Sequence, residues 1–223
     1  MSYGLAEQEF GFGEGLARKT GRLISKVLPS HGNRVWEVIS GPAIEPVTID
    51  EVKSFSGIDY ADHDSMLEGF VEAVRGAAEE YTGRAFIEQT IQVKMDYWPR
   101  TTVELPCPPL ISVTKVATLD EDDVETEYDS DNYYVITQGT PGRIVLKKSV
   151  TAPQNTVRDY GGFLIEFKAG YGEAADDVPR PIRDGVIIWV GAAYATRVID
   201  PKNPPPEART FLDLYRRGTM IIR

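Results

Sequence analysis

The runs Ala78-Glu79-Glu80-Tyr81-Thr82-Gly83-Arg84 and Ile91-Gln92-Val93-Lys94-Met95-Asp96-Tyr97 stand close together in the chain and decide its fold class. The first closes a stretch in which Leu67, Phe70, Val71, Val74, Ala78 and Tyr81 recur at helical spacing. That spacing predicts a helix from Asp62–Asp64, whose carboxylates complement its dipole, to Thr82, with Gly83 as C-cap. In the second run the period drops to two: Ile91, Val93, Met95 and Tyr97 alternate with Gln92, Lys94 and Asp96, and Pro99 closes the strand. A change from helical to strand period in so short a space points to an α+β protein.

Working outward from this point, Val35-Trp36-Glu37-Val38-Ile39 alternates as a short strand would, and Gly41 and Pro42 stop it. Thr48-Ile49-Asp50-Glu51 is a capping box, predicting a helix from Ile49 to about Phe55 that Gly57 ends. Further strands are expected at Thr102 to Leu105, Ser112 to Leu119, Asn132 to Thr137, Arg143 to Lys147 and Phe163 to Lys168, parted by turn signals such as Thr140-Pro141-Gly142. Helical spacing then returns in Ile182, Val186, Trp189, Val190 and Ala193, with Asp176 or Asp177 as cap and Pro179 in the first turn. After Pro204-Pro205-Pro206 a last helix is expected from about Glu207 to Arg217.

The architecture that follows is a helical domain of about four helices, interrupted by a small antiparallel β-module, with an extended N-terminal arm and a C-terminal tail. Its parts are the arm, 1–41; the helical domain, 42–85 and 174–217; the β-module, 86–173; and the tail, 218–223. The arm is rich in glycine and mildly basic, with Arg18, Lys19, Arg22, Lys26 and Arg34 against Glu7, Glu9 and Glu14.

A length of 223 residues with 42% apolar content can bury one sizeable core or two small ones. The formal charge of −10 argues against adhesion to a phosphate backbone or an anionic bilayer, both of which need clustered Lys and Arg. The single cysteine, Cys107, lies among prolines and reads as a reduced thiol of a protein made in the cytoplasm. Glu7 and Glu9 stand where a secretion signal would need a basic region and an apolar run, so secretion is not expected. The apolar run Val186 to Ala195 is about half the roughly 20 residues that span a bilayer, and reads as a buried core helix.

Catalytic chemistry finds little to work with. His31 and His63 are the two histidines, too few and too distant for a zinc site, and no G-x-S-x-G turn presents a serine. His63 reads as a solvated first-turn residue. Gly11-Phe12-Gly13-Glu14-Gly15 lacks the Lys-Ser/Thr ending of a phosphate loop and would set a carboxylate against the phosphate. The run Asp120, Glu121, Asp122, Asp123, Glu125, Glu127, Asp129 and Asp131 contains no glycine for a calcium loop, and reads as a solvated acidic loop. Tyr128, Tyr133, Tyr134 and Tyr160 near polar loops leave open a carbohydrate- or receptor-binding β-module, although strand aromatics ordinarily serve core or edge packing. No enzyme activity, metal or cofactor is expected.

Several segments, in order, resemble the head–tail connector family of tailed phages and gene transfer agents, the neck adaptors that bind the portal. They are Pro46-Val47-Thr48-Ile49-Asp50-Glu51-Val52-Lys53 with Ala78 to Arg84; Leu105-Pro106-Cys107-Pro108-Pro109-Leu110-Ile111-Ser112-Val113; and Pro141-Gly142-Arg143-Ile144 with Phe167-Lys168-Ala169-Gly170-Tyr171-Gly172 and Val178-Pro179-Arg180-Pro181-Ile182. The resemblance implies a homo-oligomeric ring, a dodecamer, below the portal, with helices packed side by side and a central channel through which DNA passes without specific binding. It implies manufacture in the bacterial cytoplasm and incorporation at the head–tail neck of a virion or virion-like particle. The portal, further copies of the chain and the next neck or tail protein are then the partners. Phe211, Leu214, Tyr215, Met220, Ile221 and Ile222 are the expected portal-docking element. Asp120, Glu121, Asp122, Asp123, Glu125 and Glu127 would line the channel or form a solvated loop, their field keeping DNA off the wall. A stopper or tail-terminator ring lower in the neck is the alternative within this class.

Overall fold

A computed structural model describes residues 34–99, 101–153 and 157–217. Helix α1, Ile49–Ser56, starts as its capping box dictates: the Thr48 hydroxyl accepts from the Glu51 amide at 3.2 Å, and the Glu51 carboxylate accepts from the Thr48 amide at 2.8 Å. Thr48→Ala is expected to lower stability by about 1 kcal/mol, read as a fall in the thermal midpoint, and an unchanged midpoint would show that the cap is dispensable. Helix α2, Asp64–Thr82, buries Leu67, Val71, Val74 and Ala78, while Phe70 and Tyr81 are partly buried beside them. Gly57 and Gly83 end these helices in the left-handed conformation, with φ of 66° and 68°.

Helix α3, Arg180–Thr196, begins two or three residues later than an aspartate cap would place it. Val178 precedes a proline and is held extended, so the helix cannot start upstream of Pro179, which is its N-cap. Asp176 and Asp177 lie instead in a separate 3-10 turn, Ala175–Asp177. There the Asp177 carboxylate accepts from the Ala174 amide, and Asp176 pairs with Arg183. Helix α4 is shorter than expected, Pro206–Leu212. Beyond it the chain continues in turns, and the Arg217 amide bonds the Thr82 carbonyl at the end of α2. Helix α3 is the hub, packing against α1, α2 and α4 and burying Ile182, Val186, Trp189, Val190 and Ala193. Gly185 lets α4 approach closely: a Cβ there would stand 3.0 Å from Leu212 Cγ.

The β portion is larger than the small module expected. Strands β1, Arg34–Ser40; β2, Gln89–Met95; β4, Leu110–Leu119; β5, Glu125–Glu127; and β8, Phe163–Ala169, form a five-stranded antiparallel sheet in the order β1-β2-β8-β4-β5. Strands β3, Thr102–Glu104; β6, Tyr133–Ile136; and β7, Arg143–Leu146, form a second in the order β3-β7-β6. Ile91, Val93, Val116, Ile165 and Phe167 of the first sheet share one core with Val103, Ile144 and Leu146 of the second. On the other face of the larger sheet, period-two alternation sets out charged side chains, which pair as Lys115–Glu125 at 2.8 Å, Lys115–Glu166 at 3.4 Å and Lys168–Glu88 at 2.6 Å. The register places Arg34, Met95, Phe163, Thr118 and Thr126 in a single row across all five strands.

Candidate functional site

Three of the segments that carry the family resemblance, 105–113, 141–144 and 167–172, meet one another and the stretch just after α2 at the joint between helices and sheets. The Ala85 amide donates to the Pro108 carbonyl at 3.2 Å and the Gly170 amide to the Pro109 carbonyl at 2.9 Å. The Tyr171 amide donates to Phe86, the Glu88 amide to Gly172, and the Leu105 amide to Gly142. Gly142 lies flat on Leu110; an added Cβ would come within 2.4 Å of that side chain. Gly170, at φ 138°, leaves no room for a Cβ against the Ile87 carbonyl. The motif residues are therefore backbone-joining residues, which explains why glycine and proline dominate them.

Glu79 is the polar centre of this joint. Its Oε1 accepts from the Phe86 amide at 2.8 Å and from Gln89 at 3.0 Å, and its Oε2 accepts from Arg75 at 2.9 Å. Arg75 also pairs with Glu45 at 2.7 Å. Burial pushes the Glu79 carboxyl above the usual carboxylate range despite Arg75 and the Phe86 amide.

The expected docking residues divide. Phe211 and Tyr215 are partly buried, Tyr215 against the helical core, whereas Leu214 is 72% exposed. Met220, Ile221 and Ile222 lie outside the described residues. Residues 213–217 are fastened to the end of α2: Tyr81 donates to Asp213 at 2.6 Å, Arg84 Nε to the Tyr215 carbonyl at 2.6 Å, and the Arg217 amide to the Thr82 carbonyl at 2.8 Å. The Arg216 guanidinium lies 4.6 Å from the centre of the Tyr81 ring. Arg84 stands inside a motif run, but nothing in the sequence pairs it with a carbonyl 131 residues away.

The acidic run spans the tip of the β4–β5 hairpin, strand β5 itself and the 3-10 turn after it. One Asp120 carboxylate oxygen accepts from the amides of Asp122 and Val124, Asp123 pairs with Arg158, and Glu125 with Lys115. Glu121, Asp122 and Glu127 are exposed. Among the described residues no group of His, Cys, Asp and Glu could hold a metal ion. No described helix is long and apolar enough to cross a membrane.

Of the four tyrosines near polar loops, Tyr128 stacks on Tyr133 at 6.3 Å, lies 6.4 Å from Trp98, and donates to the Thr151 carbonyl. These two belong to the packing between the sheets, while Tyr134 and Tyr160 are exposed. His63 is not the solvated residue expected: its Nδ1 lies 2.6 Å from the Tyr194 hydroxyl, which in turn meets Tyr60 at 2.9 Å.

A family model for head completion proteins matches residues 45–218, which include all four helices, seven of the eight strands and the whole joint. The chain belongs to the head completion protein family. As a head completion protein it is a structural component of a particle rather than an enzyme. Its fold is also that of chains in gene transfer agent (GTA) particles. One, from the neck of an empty GTA particle computed with C6 symmetry, superposes with a TM-score of 0.70 at 18% identity, covering 81% of this chain and 94% of that one. Another, from the virion of a native GTA particle, gives 0.67 at 20% identity with the same coverage. A third, from the neck of a native GTA particle computed with C12 symmetry, gives 0.61 at 20%, covering 78% and 93%. No curated protein matches the sequence.

Proposed function

We propose that this head completion protein is a head–tail connector: a subunit of a ring that sits below the portal, extends the DNA channel and offers an attachment surface to the next neck protein. The observation that carries this reading is the likeness of nearly the whole fold to GTA neck chains, 94% of whose length it covers in one case. The C12 symmetry of one such neck supports a ring of twelve. The joint described above suits a stack of rings, because it fixes helices and sheets to each other through backbone bonds. DNA passing through would meet a protein of net charge −10, with little tendency to hold it.

Portal docking is assigned to the C-terminal segment, where exposed Leu214 leads toward Met220, Ile221 and Ile222. Burying each of these side chains in a partner groove contributes about 1.5–3 kcal/mol, and the multiplicity of a ring turns modest contacts into a durable joint. Light scattering of the protein mixed with portal rings from the same particle is expected to show twelve copies per portal, the C12 number. Removing residues 218–223 is expected to abolish that binding while leaving the fold intact. A protein that ignores the portal but binds a ring lower in the neck would be a stopper or terminator instead.

A further inference from the structure

We propose that neighbouring copies in the ring join edge to edge, the acidic β4–β5 hairpin of one docking on an arginine cluster beside β1 of the next. This rests on the ring reading above. Strands β1 and β5 are the two outer strands of the five-stranded sheet, so each has one side without a partner among the described residues. An unpaired edge as long as the seven-residue β1, with Val35 and Ile39 exposed, is a surface that another chain can cover.

Charge identifies which chain. Arg34 donates to the Glu104 carbonyl, and burial pulls its guanidinium down to about 10, with Glu104 opposing and Arg217 adding to the effect. Arg217 is therefore within electrostatic reach of Arg34; its amide is bonded to the Thr82 carbonyl, Arg84 Nε to the Tyr215 carbonyl two residues before it, and Arg216 precedes it in the chain. Among the described residues none of these four arginines has a carboxylate at salt-bridge distance, although the protein as a whole is strongly acidic. The opposite edge of the sheet carries the complementary charge. Glu121, Asp122 and Glu127 are exposed there and take part in no ion pair among the described residues, whereas Asp123 and Glu125 are already matched by Arg158 and Lys115.

Geometry adds an independent argument. A head-to-tail contact closes into a ring only if its two patches stand at the same height along the ring axis. Arg34 and Thr126 occupy the same row of the sheet at its two edges. With the strands running along the axis, the cluster of one copy then faces the hairpin of the next without a vertical step. This placement favours a seam between subunits over the channel wall for the hairpin.

The test uses the full chain with portal rings, read by light scattering and electron microscopy. Glu121→Arg with Asp122→Arg, and separately Arg216→Glu with Arg217→Glu, are expected to prevent ring closure. Mixing the two variants should restore rings of alternating copies, since the intact hairpin of one meets the intact cluster of the other and the reversed hairpin meets the reversed cluster, and combining all four changes in one chain should restore rings as well. Circular dichroism melts establish that each variant is folded. Rings that survive a one-sided reversal would overturn the seam and leave the connector reading standing; a wild-type chain that never forms rings would overturn both. If the arginine reversal leaves rings intact but weakens binding of a double-stranded oligonucleotide, the cluster faces DNA and the seam is wrong.

Discussion

Trp189→Ala is expected to lower the stability of the folded chain by about 3–5 kcal/mol, the largest effect of any single truncation in the helical core. Trp189 is 2% exposed and sits on α3, the helix against which the other three pack. Truncation removes the indole's transfer energy and leaves a cavity that α1, α2 and α4 cannot fill together, because each is pinned elsewhere. Arg183 ties α3 to Glu51 at 2.6 Å, and Lys53 ties α1 to Asp64 of α2 at 2.8 Å. Set against a total of roughly 5–15 kcal/mol for a protein of this kind, the loss should move the urea midpoint, followed by far-ultraviolet circular dichroism, down by roughly 1–2 M. A shift below a few tenths molar would mean that α3 is not the hub its contacts describe.

Glu79 is the second sensitive point, and two substitutions there should behave differently. Glu79→Ala leaves the Phe86 amide and the Gln89 side chain without their acceptor at the joint and is expected to cost about 3 kcal/mol. Glu79→Gln keeps an acceptor oxygen, and Arg75 keeps Glu45, so its cost near neutral pH should be small. The pH dependence gives a sharper reading. Because burial raises the folded carboxyl above its unfolded value, the folded protein binds that proton more tightly than the unfolded chain. The stability this contributes is complete below the unfolded pKa and is lost as pH rises through the folded one. The Gln variant cannot ionise and lacks this dependence, so its stability relative to wild type should improve between pH 4 and pH 8. Denaturant unfolding at a series of pH values measures it, and an opposite trend would mean that Arg75 outweighs burial.

What could be read in the sequence was what is encoded locally. Thr48 and Glu51 are three residues apart and answer to each other alone, so α1 was legible to within a residue, as was the buried face of α2. Strand β5 was not, because Glu125-Thr126-Glu127 has no apolar member and owes its conformation to pairing with Ala117–Leu119. Nor was the extent of the sheets, since β8 inserts between β2 and β4 and β1 reaches across two helices to β2. The site divides in the same way. The acidic run announced itself by composition, but that Asp120, Asp123 and Glu125 are occupied within the fold depends on Arg158, Lys115 and a local turn. The arginine cluster left no mark at all: Arg34, Arg84, Arg216 and Arg217 come from three distant stretches, and Arg217 comes within electrostatic reach of Arg34 only when α2 and β1 are in place.

The fastening of residues 213–217 to α2 has a mechanical consequence. A seven-residue helix such as α4 would by itself be a weak mooring for anything that pulls on the chain beyond it. Tension applied past Arg217 does not reach α4 first. It enters through the Thr82 carbonyl, Arg84 and Tyr81, which all belong to α2 or the turn just after it, and the nineteen-residue α2 spreads it into the core around α3. On the docking role proposed for the C-terminal segment, the load is thus carried by the longest member of the helical bundle, and α4 is spared.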